Sequence, residues 1–153
     1  MNASSRIRIA SLRSEDHAAW MPLWRGYQAF YEVDIPEDVS AVTWARLLDP
    51  AEPVAGALAW NEAQAVGLVH CIQHRSCWTV GDYCYLQDLF VAPGCRGAGI
   101  GRKLIEHVYD EAQRAGCARV HWLTHETNAT AMQLYDRIAR RSGFVQYRKI
   151  LVA

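Results

Sequence analysis

The stretch "FVAPGCRGAGIGRKLIEHVY" (residues 90–109) limits what this chain can fold into more than any other. An apolar, strand-like run stops at Pro93, a loop carries Gly97, Gly99 and Gly101, and a helical period then runs through Ile100, Leu104 and Val108. The helix continues to "RAG", where Gly116 is the residue expected just past a helix end. The next apolar run, "ARVHWLT" (residues 118–124), reads as a second strand. Strand, helix and strand in that order form a crossover unit, so the two strands run parallel. A glycine-rich turn that opens a helix presents unpaired backbone N–H groups at the positive end of a helix dipole, and that combination favours phosphate oxygens.

The sequence before this unit has a different rhythm. "RIRIASL" alternates as a first strand, and "SEDHAAWMPLWRGYQAFY" reads as a helix with Ser14 as N-cap and a bend or delayed start at Pro22. Trp20, Trp24, Tyr27 and Tyr31 fall on one stripe of that helix, either packed in the core or walling a substrate site. "YEVDIPEDVS" collects Glu32, Asp34, Glu37 and Asp38 in a loop, a solvated surface or a lure for a cationic amine, and "VTWARLL" (residues 42–48) reads as a short helix. "PVAGALAW" and "AVGLVHCIQH", joined by "NEAQ", form a hairpin, with "DYCYLQDLFV" as a third strand, so this part of the sheet is antiparallel. After the crossover come a helix bounded by Asn128 and Gly143 and a closing strand, "FVQYRKILV" (residues 144–152). The fold expected is α/β (α+β): a mixed, mostly antiparallel sheet flanked by helices.

Length and charge narrow the function. At 153 residues, about half of them apolar, the chain is expected to form one domain over residues 1–153. Lys plus Arg equals Asp plus Glu at 16 each, so no overall field draws nucleic acid or an anionic membrane, and recognition by charge must be local. "MNASSRIRIA" lacks the apolar core of a signal peptide and no window approaches the roughly 18 apolar residues of a span, which points to the cytoplasm. Five cysteines without a C-x-x-C pair fit reduced thiols. In "HCIQHRSC", His70 and His74 share a strand face with Cys77 beyond, yet no fourth zinc ligand is evident, so no metal is expected.

Three kinds of protein use a glycine loop of this sort. A nucleotide P-loop ends Gly-Lys-[Ser/Thr], whereas Gly101 is followed by Arg102 and Lys103. A dinucleotide fold needs G-x-G-x-x-G after a first parallel strand, and here the strands before Gly97-Ala98-Gly99-Ile100-Gly101 are antiparallel. "VAPGCRGAGIG", with "ETNATAMQLY" and "GF" downstream, instead resembles the GNAT superfamily of N-acetyltransferases, whose acetyl-coenzyme A loop reads Arg/Gln-x-x-Gly-x-Gly/Ala. The resemblance extends to the order of elements over nearly the whole chain.

It implies that the backbone of Arg96, Gly97, Ala98, Gly99, Ile100 and Gly101 holds the coenzyme A pyrophosphate. It further implies that the main chain of Leu89, Phe90 and Val91 pairs with the pantetheine arm, with an oxyanion donor near Phe90 or Val91. Asn128 matches a position at the pantetheine end, and Tyr135 the tyrosine beside the thioester sulfur; taken alone they read as a helix N-cap and a half-buried helix residue. Asp88 and Glu126, with His125 behind them, are the candidate general bases. "LYDRIARRSGF" carries about four residues more than the family spacing, close to one helical turn, so a longer helix is expected. A single terminal strand where many relatives have two implies an edge covered by a second copy, a homodimer through residues 144–152. "QDLFV" and "WLTHETN" look most like the small dimeric histone and polyamine acetyltransferases, and the alternative reading is a coenzyme A-binding regulatory module without catalysis.

Overall fold

A computed structural model of the protein describes residues 6–152; the first residues of the stretch read for a leader lie outside them. The chain divides into two compact units at the Leu123 and Thr124 junction. The larger holds β1 (Ile7–Ser11), α1 (His17–Phe30), α2 (Glu37–Leu48), β2 (Val54–Asn61), β3 (Gln64–His74), β4 (Tyr83–Val91), α3 (Ile100–Arg114) and β5 (Arg119–His121). The five strands form one sheet in sequence order, antiparallel from β1 to β4 and parallel between β4 and β5. The mixed sheet and the crossover expected from the glycine loop are both present.

Alternation along β3 distributes the helices over two faces. Leu68 joins Trp20, Leu23 and Trp24 of α1, Leu47 of α2, Leu58 of β2 and Phe90 of β4 in one buried cluster. Gly67, one residue away and on the opposite face, meets Leu104 and Ile100 of α3. α3 itself buries Ile100, Leu104, Ile105, Val108 and Ala112, the stripe its sequence period foretold. On the other face Gly26 is what allows α1 to close on β4. A Cβ there would stand 2.8 Å from the Phe90 ring, so any larger residue must push helix and strand apart.

Local chemistry moves several boundaries. Asp16 rather than Ser14 occupies the N-cap of α1, but its side chain makes no cap there; its Oδ2 accepts the Arg13 N–H at 2.9 Å and so closes the 3₁₀ turn at Ser14–Asp16 that precedes the helix. Pro22 sits inside α1 instead of delaying it. Glu37 and Asp38 belong to the first turn of α2 and not to a loop, because carboxylates there complement the helix dipole.

The smaller unit holds α4 (Ala129–Ile138) and a segment, 139–152, without regular secondary structure. The expected lengthening of this helix to Gly143 does not occur. Ala139 is extended (φ −151°, ψ −179°), and Arg141 folds back on Asp136 with two hydrogen bonds of 2.9 and 2.7 Å, so the extra residues fall beyond the helix. The strand expected over 144–152 is also absent. Its apolar side chains are exposed, Tyr147 at 93% and Leu151 at 87%, because β propensity without a neighbouring strand leaves N–H and C=O groups no ladder to join.

Candidate active site

The expected phosphate loop has the backbone it needs. After a 3₁₀ turn at Pro93–Cys95, Gly97 (φ 85°) and Gly99 (φ 77°) adopt the left-handed conformation, and Gly99 is the N-cap of α3. Nothing lies within 4 Å of a Cβ built on either glycine, so the loop is an open cradle. The first N–H groups of α3 point out of it, lacking intrahelical acceptors. Arg96 anchors the loop to the strand before it: its Nε donates to the Val91 carbonyl at 3.1 Å, and its guanidinium lies 5.0 Å from the Phe30 ring and 5.7 Å from Phe90. This geometry fits a diphosphate held by main-chain donors.

β4 offers an open edge next to that cradle. Its pairing with β5 covers only Tyr83, Cys84 and Tyr85, while β4 itself runs on to Val91. β5 is shorter than the strand expected over 118–124, and the two part after Tyr85. The ladder on the other side decides which groups face the opening. Ala92 N–H bonds the Val66 carbonyl at 2.9 Å, and bonded residues alternate in an antiparallel ladder, so Phe90, opposite Leu68, also turns its amide toward β3. The amides of Leu89 and Val91 turn toward the open side.

Asp88 is 7% exposed and sits at a break in the strand's period. His70 pairs with Asp88 and Cys71 with Leu86, so Gln87 is an extra residue, a β-bulge. The bulge resets the alternation. Leu86 follows Cys71 to the α3 face, and Tyr85, opposite Ile72, returns to the same face as Asp88.

His70 and Trp20 fix the carboxylate. His70 Nδ1 lies 2.9 Å from Asp88 Oδ2, and its Nε2 lies 2.9 Å from Trp20 Nε1, all of it buried. An indole N–H can only donate, so Nε2 must accept; the ring proton is therefore on Nδ1 and goes to Asp88. A charged imidazolium would set two N–H groups against each other. The contact between His70 and Asp88 is thus a neutral imidazole donating to a carboxylate, not an ion pair. With both ring nitrogens occupied, His70 has none to offer a metal, and the described residues contain no cluster of metal-ligating side chains.

Three phenols feel the charge of the same carboxylate. Tyr27 stacks on Trp24 at 5.3 Å and lies 4.8 Å from Tyr31, centroid to centroid. Its pKa is pushed up first by burial and then by the charge and hydrogen bond of Asp88. Tyr31 and Tyr85 are raised too, by burial first and the Asp88 charge second. Tyr85 stacks on His121 (5.3 Å, 10°), whose own pKa is lowered by burial, then by Arg119 and His74. Of the aromatic stripe of α1, Trp20 and Trp24 are core, and Tyr27 and Tyr31 lie within electrostatic reach of Asp88.

The other expected residues are placed as follows. Asp34 and Glu37 line a cleft of about 320 Å³ with Arg25, Gln28 and Ser40, where Glu37 lies 3.5 Å from Arg25. In the smaller unit, Glu126 and His125 are exposed in a turn closed by Asn128 N–H to the His125 carbonyl at 2.9 Å. Asn128 occupies the N-cap of α4, but its side chain makes no cap; it donates to Thr124 Oγ1 at 3.3 Å. Tyr135 is half-buried in the last turns of α4.

Comparison with known proteins identifies the family and the fold. The Acetyltransferase (GNAT) family model matches residues 17–139. The D-amino-acid N-acetyltransferase HPA3 of Saccharomyces cerevisiae is 36% identical over 148 residues, covering 95% of this chain and 92% of that protein. A thialysine N-epsilon-acetyltransferase of Mus musculus is 40% identical over 78 residues, 48% of this chain and 45% of the other. Among solved structures, AAC(6')-Iy in complex with a bisubstrate analog shares the fold at a TM-score of 0.83 and 17% identity, covering 95% and 99% of the two chains. The chain belongs to the GNAT acetyltransferase family. It is an acetyl-CoA-dependent N-acetyltransferase.

Proposed function

We propose that residues 1–153 act as one catalytic domain that moves an acetyl group from acetyl-CoA to a primary amine of a small molecule or protein, directly and within a ternary complex. The observation that carries this reading is Asp88: a buried carboxylate at a β-bulge, oriented by a neutral histidine, one residue before the strand edge whose Leu89 and Val91 amides lie open. Main-chain donors of residues 96–101 bind the pyrophosphate, and Leu89 and Val91 pair with the pantetheine arm. Asp88 is the general base. At pH 7 only about one in 2,500 molecules of a lysine-like amine is neutral, so the base must take a proton for turnover to be useful. An ammonium has no lone pair with which to attack, and its direct deprotonation by an ordinary carboxylate is uphill by about 9 kcal/mol. The neutral amine is therefore the nucleophile, and Asp88 takes the proton that becomes acidic on its nitrogen as the C–N bond forms.

Attack of the nitrogen on the thioester carbon forms the new C–N bond and a tetrahedral oxyanion, to which an amide of the open β4 edge not engaged by pantetheine donates. Collapse breaks the C–S bond and releases the thiolate. Tyr135 is assigned by family resemblance to that thiolate, and acts mainly by hydrogen bonding, because full proton donation from a phenol to a thiolate is uphill by about 2 kcal/mol. Asn128 serves the pantetheine end by the same resemblance. Glu126, exposed in its turn, is the less suited of the two candidate bases. The exposed apolar residues of 144–152 support a homodimer, and the unpaired thiols support a cytoplasmic location; no helix among the described residues is long and apolar enough to cross a membrane. Initial rates of thiol release across a panel of primary amines test the reading. Direct transfer gives double-reciprocal lines that intersect when both substrates are varied, whereas parallel lines indicate an acetyl-enzyme and contradict it.

A further inference from the structure

The surroundings of Asp88 are chemically one-sided. A carboxylate shares its face of the sheet with Tyr85 of β4 and feels Tyr27 and Tyr31 of α1, and no cation among the described contacts neutralises it. His70 is held neutral by Trp20, and the imidazole stacked on Tyr85 has its pKa lowered. The Arg96 guanidinium is bound to the Val91 carbonyl and lies over Phe30 and Phe90. A carboxylate also has about four lone-pair sites, and His70 Nδ1 occupies one of them. The remainder can accept from a bound donor.

Ring faces beside a carboxylate are the arrangement that holds an ammonium ion, through the ring quadrupole and the charge together. The sequence builds it by two local devices. The Gln87 bulge returns Tyr85 to the Asp88 face, and the stripe of α1 sets Tyr27 and Tyr31 a helical turn apart, with ring centroids at 4.8 Å. Tyr31 is 42% exposed, so the group opens to solvent at that end.

We propose that Tyr27, Tyr31 and Tyr85 form an aromatic cage over Asp88 that binds the acceptor as a primary alkylammonium, and that selects amines without a carboxylate beside the reacting nitrogen. The inference rests on the reading of Asp88 as the base. An α-carboxylate brought next to the bound ammonium would meet Asp88 at short range and find no positive partner among these residues. The cage thereby gathers the majority, protonated form of the amine beside the base; the proton lost before attack leaves to solvent, and Asp88 takes the one released as the C–N bond forms.

The test uses the whole chain, with butylamine and norvaline as acceptors; these differ by one α-carboxylate. Butylamine is expected to give a kcat/KM at least tenfold higher. Tyr31→Leu removes a ring at the exposed end and should raise KM for butylamine about threefold to tenfold, with the loss falling on KM rather than kcat. Tyr31→Phe keeps the ring and should recover most of that affinity. Acetyl-CoA affinity by calorimetry reports whether each variant is folded. Norvaline used as well as butylamine, or a KM for butylamine unmoved by Tyr31→Leu and Tyr85→Leu, overturns the proposal. Failure of Asp88 as base would appear in kcat of Asp88→Asn instead, so the two ideas fail separately.

Discussion

Two residues remote in sequence from Asp88 decide its chemistry. Trp20 is 50 positions from His70 and His70 is 18 from Asp88, yet 2.9 Å contacts join all three. Because the indole can only donate, the tautomer is set by connectivity, and the carboxylate gains a fixed donor without gaining a counter-charge. Tyr135 is the residue proposed, from the family resemblance, to hydrogen-bond the leaving thiolate. Loss of one hydrogen bond to a charged leaving group costs about 1.5–3 kcal/mol, so Tyr135→Phe should lower kcat roughly 10- to 150-fold while the calorimetric affinity for acetyl-CoA stays nearly the same; undiminished turnover would remove Tyr135 from the mechanism. The glycine loop was legible from sequence because left-handed glycines and helix starts are local properties. The histidine and tryptophan behind Asp88 were not, since a contact across 50 positions leaves no periodic trace. His70 did draw notice, but for zinc, and only the structure shows both its nitrogens engaged within the protein.

At the scale of elements, the same turn chemistry ends two helices with different residues. α3 closes with Gly116 at φ 76°, its N–H reaching the Gln113 carbonyl and the Cys117 N–H reaching Ala112. α1 closes with the same pattern, Glu32 to Ala29 and Val33 to Gln28, but its left-handed residue is Glu32 at φ 54°. A side chain in that conformation carries a penalty that glycine avoids. Glu32→Gly should therefore stabilise the protein by about 0.5–1 kcal/mol, read as a raised denaturant midpoint at constant m-value, and a lowered midpoint would show that the Glu32 side chain stabilises the fold. The helices and strands of the larger unit were readable from their periods. The bulge at Gln87 was not, because one inserted residue breaks the two-residue period that the reading depends on, and it is what places Tyr85 beside Asp88. α4 ended early for a similar reason: the bidentate pairing of Arg141 with Asp136 competes with helix continuation and has no signature in apolar spacing.

For the whole molecule, the segment 144–152 is the largest departure from expectation. It exposes Phe144, Val145, Tyr147, Ile150, Leu151 and Val152, each by more than two thirds, and an apolar run of this kind in water marks an interaction surface. The sequence reads as a strand because its residues prefer β structure, but a strand exists only with a neighbour. A second copy of the chain is the proposed neighbour. Light scattering at micromolar concentration should give the mass of a dimer, and Ile150→Asp with Val152→Asp should give a monomer; a wild-type monomer contradicts the proposed assembly.

The central claim is that the carboxylate held by His70 takes the proton of the acceptor amine. Asp88→Asn tests it most directly, since the amide keeps the size of the side chain and can still accept from His70 Nδ1. Thiol release from acetyl-CoA with a saturating alkylamine at pH 7 should fall by about 10²- to 10⁴-fold in kcat, with acetyl-CoA affinity unchanged. Turnover by Asp88→Asn within a few-fold of the unsubstituted enzyme would contradict the account.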